Sequence, residues 1–188
     1  MRQLTEDILD VTKIESQFLN LKKEWFNLND AIANIVNDAL TSYASLKKEN
    51  NTLPKIKLEY HNYHNPQSIF VCADKGRITQ VISNLLSNAI KFAKEGIISI
   101  SLEIGKCDDV YHDESVIISV NDSGQVVDPK IFPKLFTKFA TKSETGGTGL
   151  GLFISKSIVE AYDGKIWAKN NSDSKGATFS FSLPIVKK

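Results

Sequence analysis

Two cysteines in 188 residues, Cys72 and Cys107, are too few and too far apart to suggest a metal site. They read as free thiols rather than a disulfide, Cys72 buried in the apolar run Ile69-Phe70-Val71-Cys72-Ala73 and Cys107 exposed in a polar stretch. No apolar run approaches the length that crosses a bilayer, and the N-terminus lacks a secretory pattern. The chain is therefore expected to be cytoplasmic, whether or not a longer parent is membrane-anchored. An excess of one charge is also missing. With 23 Lys and Arg against 22 Asp and Glu, the net charge of +1 gives no global pull toward nucleic acid or an anionic membrane. No basic groove or aromatic platform supports nucleic-acid binding, and there are no repeats or low-complexity tracts. What remains is ordinary for a globular protein, 41% hydrophobic and 24% charged. The length suits one good core, or one core with a helical appendage.

Periodicity predicts a helix over 2–20, with Leu4, Ile8, Val11 and Phe18 at near-heptad spacing and Ile14 and Leu21 broadening the stripe. Taken by itself, that pattern reads as an amphipathic helix packed on its own domain. Residues 20–28 read as a connector, and Asn29 or Asp30 could cap a helix to about Lys48, ended by Asn50 to Pro54. Strands are expected at Lys55 to Tyr60 and Ile69 to Cys72, separated by a polar turn around Asn65-Pro66. A helix from about Lys75 to Ala93 follows, then an antiparallel pair, Ile97 to Ile104 and Val116 to Val120. A last helix, about Leu150 to Tyr162, precedes two closing strands, Lys165 to Lys169 and Ala177 to Leu183. The sum is an α+β, two-layer α/β sandwich, with helices over one face of a mixed sheet and an N-terminal helical segment.

Three segments carry chemistry. Asn84 and Asn88, four apart, share a helix face with Lys91, while Leu85, Leu86 and Ile90 fall on another. An asparagine carbonyl suits a hard cation such as Mg²⁺, and the lysine meets phosphate as a point charge. Asp122-Ser123-Gly124 follows a strand, so its carboxylate could point from a strand end into a cleft; alone, it would read as a turn. Gly147, Gly149 and Gly151, with Leu150 and Leu152, stand where a helix begins, and small residues there let backbone N–H groups approach an anion. Alone, that run would read as a flexible loop. Phe92 is either core or an aromatic wall. Lys130, Lys134, Lys138 and Lys142 recur every four residues among phenylalanines, by default a solvated basic face.

Together these segments resemble the N, G1 and G2 boxes of the ATP-binding domain of sensor histidine kinases, within the GHKL ATPase and kinase superfamily. Asp74 to Val81 resembles the lead-in to the N box, Phe132 to Phe139 the F box, and Gly176 to Pro184 the closing strand; each motif is weak and the ordered set strong. Leu9 to Ser16 resembles the end of the second helix of the dimerisation and phosphoacceptor hairpin. The resemblance implies residues 1–24 as that helix and its linker and 25–188 as the catalytic domain. It implies that Asp122 accepts the exocyclic amine of adenine, with Thr178 assisting through water, and that Phe92 walls the base. It further implies Asn88 on Mg²⁺, Asn84 and Lys91 organising the triphosphate, and Lys142 reaching from the lid to the terminal phosphate. Lys142 departs from the family's frequent arginine one residue earlier, where this chain has Thr141.

An amide at Asn84 cannot accept a proton, which argues against ATP hydrolysis as the main task; hydrolytic relatives carry glutamate there. The resemblance implies γ-phosphoryl transfer from Mg-ATP to a histidine on a helix outside this chain. Response-regulator receiver domains and homodimerisation of the parent are the partners it implies. His61, His64 and His112 lack the phosphoacceptor context and read as surface histidines. The G1 box departs from its usual Asp-X-Gly-X-Gly, ending in Val126, where a left-handed backbone would cost about 1–2 kcal/mol. Two further readings stay open: a regulatory nucleotide-binding module with little transferase activity, and an anti-sigma-type serine kinase.

Overall fold

The computed structural model describes residues 2–16, 20–49, 55–63, 68–93, 95–105, 114–140, 148–172 and 175–185. The order is α1 (Arg2–Glu15), β1 (Glu24–Asn27), α2 (Leu28–Glu49), β2 (Ile56–Asn62), β3 (Phe70–Ala73) and α3 (Lys75–Phe92). Then come β4 (Gly96–Gly105), β5 (Ser115–Asp122), a 3₁₀ turn (Phe132–Lys134), α4 (Gly151–Glu160), β6 (Ile166–Asn170) and β7 (Ala177–Pro184). Among the described residues no helix is long and apolar enough to cross a membrane. The stop expected at Asn50 to Pro54 and the turn at Asn65-Pro66 lie outside the described residues, as do His64, Cys107 and His112.

Strands pair in the order β2-β4-β5-β7-β6, parallel between β2 and β4 and antiparallel elsewhere, giving the expected mixed sheet. Alternation of side chains sorts its faces. Val116, Ile118 and Val120 of β5 pair with Leu183, Phe181 and Phe179 of β7 and turn toward the core under α3 and α4. Two of the alternate pairs are polar, Ser119 with Ser180 and Asn121 with Thr178. The two serine hydroxyls hydrogen-bond at 2.8 Å.

One expectation needs correction. The connector over 20–28 contains β1, which pairs antiparallel with β3 as a separate two-stranded sheet. Four residues with Glu and Asn at the ends are too short for alternation to register. β2 joins the main sheet beside β4, where Ile56, Leu58 and Tyr60 pack against the core.

α3 shows how sequence positions the site. Asp74 caps it, its Oδ1 accepting from the Arg77 N–H at 3.1 Å. Ile78, Val81, Ile82, Leu85, Leu86 and Ala89 are buried, so Asn84, Asn88 and Lys91 emerge on another face, at i, i+4 and i+7, and line the cavity described below.

α1 ends at Glu15, short of the expected residue 20. It turns Asp7 and Asp10 inward (5% and 7% exposed) and leaves Leu4, Ile8 and Leu9 about half exposed. Arg77 Nη1 donates to Asp10 at 2.7 Å and Gln80 Nε2 donates to the same oxygen at 2.8 Å. Burial pushes the Asp10 carboxyl up, but these bonds and the charges of Arg77 and Lys13 outweigh it, so its pKa lies below the ordinary value. A depressed pKa stabilises docking above about pH 4, and that contribution is lost as pH falls further. Arg77→Ala should cost about 2 kcal/mol, below the roughly 3–5 kcal/mol of a fully buried pair because both side chains keep some exposure. Faster amide exchange throughout α1, with β4 and β5 unchanged, is the expected readout; unchanged α1 protection would refute the clamp.

Candidate functional site

A cavity of about 1430 Å³ opens between α3, α4, the segment after β5 and the inner face of α1. That exceeds the roughly 300–1000 Å³ of ordinary small-ligand pockets. Asn84, Asn88, Lys91, Phe92, Asp122, Gly149, Gly151 and Leu152 all line it. The three separated segments thus meet at one site. Lys142 and Gly147 lie outside the described residues.

Asp122 ends β5 on its core-facing side and is 3% exposed. Its Oδ1 accepts from the Gly124 N–H at 2.8 Å. A Cβ at Gly124 would stand 2.6 Å from the Phe92 carbonyl oxygen and 2.8 Å from that Oδ1, so only glycine allows this turn. Burial pushes the Asp122 carboxyl up, while the Gly124 and Ala177 N–H groups draw it back without cancelling the shift. A ligand N–H accepted by the ionised carboxylate should therefore bind more weakly as pH falls, starting above the ordinary carboxylate value of about 3.9. The unliganded fold should move oppositely, since a raised pKa means that the folded state binds the proton more tightly. ADP titrations between pH 7.5 and 4.5 check this; flat affinity would remove Asp122 from the contact.

Thr178 is not brought to the cavity. It pairs with Asn121 on the outer face of the sheet, where its hydroxyl donates to Asn171 Oδ1 at 2.7 Å and accepts from Asn121 at 2.8 Å. Ala177, one residue earlier and on the opposite face, lines the cavity instead. The period of two in a strand makes a one-residue displacement a change of face.

Phe92 is a wall rather than core, 38% exposed with Lys91 Nζ 5.3 Å from its ring centroid. Asn84 Nδ2 donates to the Gly151 carbonyl and to Ser155 Oγ, both at 3.3 Å, tying α3 to the first turn of α4. Gly149 has φ +67° and a Cβ there would meet the Phe139 backbone at 2.8 Å. Leu150 is 2% exposed and anchors the loop, while its N–H donates to Thr148 Oγ1 at 3.2 Å. That hydroxyl donates in turn to Asp7 of α1 at 2.9 Å. Lys130 and Lys134 line the cavity. Lys138 bonds Glu15 of α1 and lies 5.1 Å from the Phe153 ring centroid. Val126, at the cavity wall, does not have a positive φ, so the expected backbone strain is absent.

For Mg²⁺ the donors fit. Asn84 spends its N–H₂ group on α4, which leaves a carbonyl oxygen as its remaining function, and Asn88 adds a second amide. No group of three or more His, Cys, Asp or Glu that could hold a metal occurs among the described residues. A site of one or two oxygen donors, completed by water and phosphate, suits magnesium rather than a transition metal.

A buried carboxylate at a strand end, an amide-bearing helix face and a glycine loop opening a helix recur together in one lineage. Residues 73–187 match the family model described as histidine kinase-, DNA gyrase B- and HSP90-like ATPase. The chain belongs to this family. Within it, the similarity is to sensor kinases. The chain is 34% identical over 186 residues to the autoinducer 2 sensor kinase/phosphatase LuxQ of Vibrio vulnificus, covering 96% of this chain and 20% of LuxQ. To the sensor histidine kinase WalK of Bacillus subtilis it is 30% identical over 190 residues, covering 98% of this chain and 28% of WalK. The chain thus spans between a fifth and a third of these relatives. The histidine kinase ThkA, solved in complex with the response regulator TrrA, superposes with a TM-score of 0.68 at 29% identity, over 98% of this chain and 49% of ThkA. The chain has the architecture of an ATP-binding catalytic domain of sensor histidine kinases.

Asp7, Asn170 and Asn171 carry no sequence signal of their own. A buried acid on a helix, or a polar residue beside a strand, becomes legible only through what the fold sets opposite it.

Proposed function

We propose that this chain binds Mg-ATP and transfers its γ-phosphoryl group to a histidine carried on a helix outside it. The observation that supports this is the joining of Asp122, the Asn84–Asn88–Lys91 face and the Gly149–Gly151 loop around one cavity. Asp122 accepts the exocyclic N–H of adenine, and Phe92 and Ala177 wall the base. Asn88 and Asn84 hold the divalent ion, with Lys91 beside the phosphates and backbone N–H groups at the start of α4 turned toward them. The ion, when bound, neutralises phosphate charge and orients the terminal group. Lys142 is proposed to reach the γ-phosphate. With an amide at Asn84 and no carboxylate base in its place, the proton acceptor comes from the substrate helix and water is a poor nucleophile here.

Residues 1–24 form the end of a hairpin and its linker, and 25–188 the catalytic domain. The exposure of Leu4 and Ile8, with the acidic side of α1 docked inward, supports a seam for further helices, and hence a dimeric parent. A response-regulator receiver domain is the acceptor of the phosphoryl group from that histidine, as a response regulator partners ThkA.

The test is incubation with Mg²⁺ and γ-labelled ATP, alone and with a phosphoacceptor hairpin supplied separately. Label on the hairpin that is acid-labile and base-stable marks a phosphohistidine, and its loss in Asn84→Ala and Asn88→Ala ties it to this site. Acid-stable label would point to serine kinase chemistry. Nucleotide binding without any transfer would leave a regulatory module.

A further inference from the structure

We propose that Asn170 is a positioning residue for nucleotide binding, holding the wall at the base end of the cavity through the backbone of Val127. The inference rests on the nucleotide reading above and deepens it.

The wall after β5 is neither helix nor strand, yet Gln125, Val126, Val127 and Asp128 all line the cavity. Such a segment needs a partner for its backbone groups if it is to keep a shape. Asn170, the last residue of β6, supplies it. Its Oδ1 accepts from the Val127 N–H at 2.8 Å and its Nδ2 donates to the Val127 carbonyl at 2.8 Å. One side chain thus satisfies both backbone groups of one residue, as a neighbouring strand would.

The next residue continues the brace. Asn171 Nδ2 donates to the Asp122 carbonyl at 2.9 Å and to the Lys175 carbonyl at 2.8 Å. Its Oδ1 accepts from Thr178 and from Asn121, at 2.7 and 3.1 Å. Two adjacent amides therefore hold the root of the segment at Asp122 and its middle at Val127. The chemistry is specific to asparagine at 170. Aspartate keeps the acceptor and loses the donor, alanine loses both, and glutamine carries one methylene too many for the same pair. Val126, between the two anchors, needs no left-handed backbone to follow this path.

Because the brace acts beside Asp122 and not at the glycine loop, its loss should weaken every adenine ligand by a common factor, whatever its phosphate count. Calorimetric titration of adenosine, ADP and Mg-ATP into the wild type, Asn170→Asp and Asn170→Ala reads this, at a temperature where circular dichroism shows each variant folded. The expected result is a loss of about tenfold, on the scale of one buried hydrogen-bond pair, equal for the three ligands. Unchanged affinity in folded variants, as a purely structural role would give, overturns the proposal; so does a loss confined to Mg-ATP. Amide exchange on the wild type gives a reading independent of variant folding. The Val127 N–H should exchange slowly, like a strand amide, and exchange at the rate of a free loop overturns the brace. A wild type that binds none of the three ligands would instead defeat the nucleotide reading itself, and this inference with it.

Discussion

Asp122→Asn is expected to lower affinity for ADP and ATP by at least about 100-fold while leaving the unliganded fold nearly as stable as before. The two halves of this expectation have one cause. In the native chain one carboxylate oxygen is committed to the Gly124 N–H, and the Ala177 N–H also faces the group. An asparagine can keep its oxygen on those donors, but then its N–H₂ meets the exocyclic N–H of adenine, donor against donor. A polar site that meets the wrong partner is penalised by more than the bond it loses, here about 3 kcal/mol. Stability responds differently, because burial of the charged carboxylate is itself unfavourable. The neutral amide escapes that cost and offsets the weaker bond to Gly124. Calorimetry for affinity and thermal melting for stability separate the two. Binding within threefold of the wild type would remove Asp122 from base recognition.

A second large effect is expected at Gly176, this time on the fold. Its φ is +69°, and a Cβ there would lie 1.9 Å from the Asp122 carbonyl oxygen and 2.6 Å from its carbon. Both atoms are backbone and belong to the paired neighbour strand, so no side-chain rotation relieves the clash. Left-handed strain contributes about 1–2 kcal/mol and overpacking about 1–3, so Gly176→Ala should cost roughly 4 kcal/mol in urea unfolding. Gly76→Ala is the matched control. It lies in the first turn of α3, its added carbon would meet only Asp74 Oδ1 at 3.4 Å, and helix propensity favours alanine there. It should be neutral or slightly stabilising. Equal stability of Gly176→Ala and wild type would show that the β5–β7 junction yields more readily than its geometry implies.

Much of the architecture was legible in the sequence because its signals are periodic. The α3 stripe from Ile78 to Ala89 and the alternation in β4, β5 and β7 state which faces are buried, and burial decides the layers. β1 was not legible, since four residues are too few for a period to register. The pairing of β2 with β4 was not either, because partner choice is tertiary. At the site, motifs in the sequence named Asn84, Asn88, Asp122 and Gly149, and the fold brings these four to one cavity. Thr178 shows the limit of motif matching: an offset of one residue along a strand is invisible in a motif and reverses the side it faces. Asn170, Asn171 and Asp7 act through distant segments, and nothing near them in sequence announces the partner.

The docked α1 helix has a further consequence. Asp7 and Asp10 line the same cavity as Asn84 and Gly149, and Asp7 reaches the glycine loop through Thr148. A ligand that fits better with the helix in one position must shift the helix toward that position, and by thermodynamic reciprocity the helix shifts ligand affinity by the same factor. Such coupling would make the cavity two-ended in its control, with occupancy felt along α1 and displacement of α1 felt as ligand affinity. Releasing the helix with Arg77→Ala should thus change the ADP dissociation constant without touching any residue of the base pocket, and an unaltered constant would show the two ends to be uncoupled.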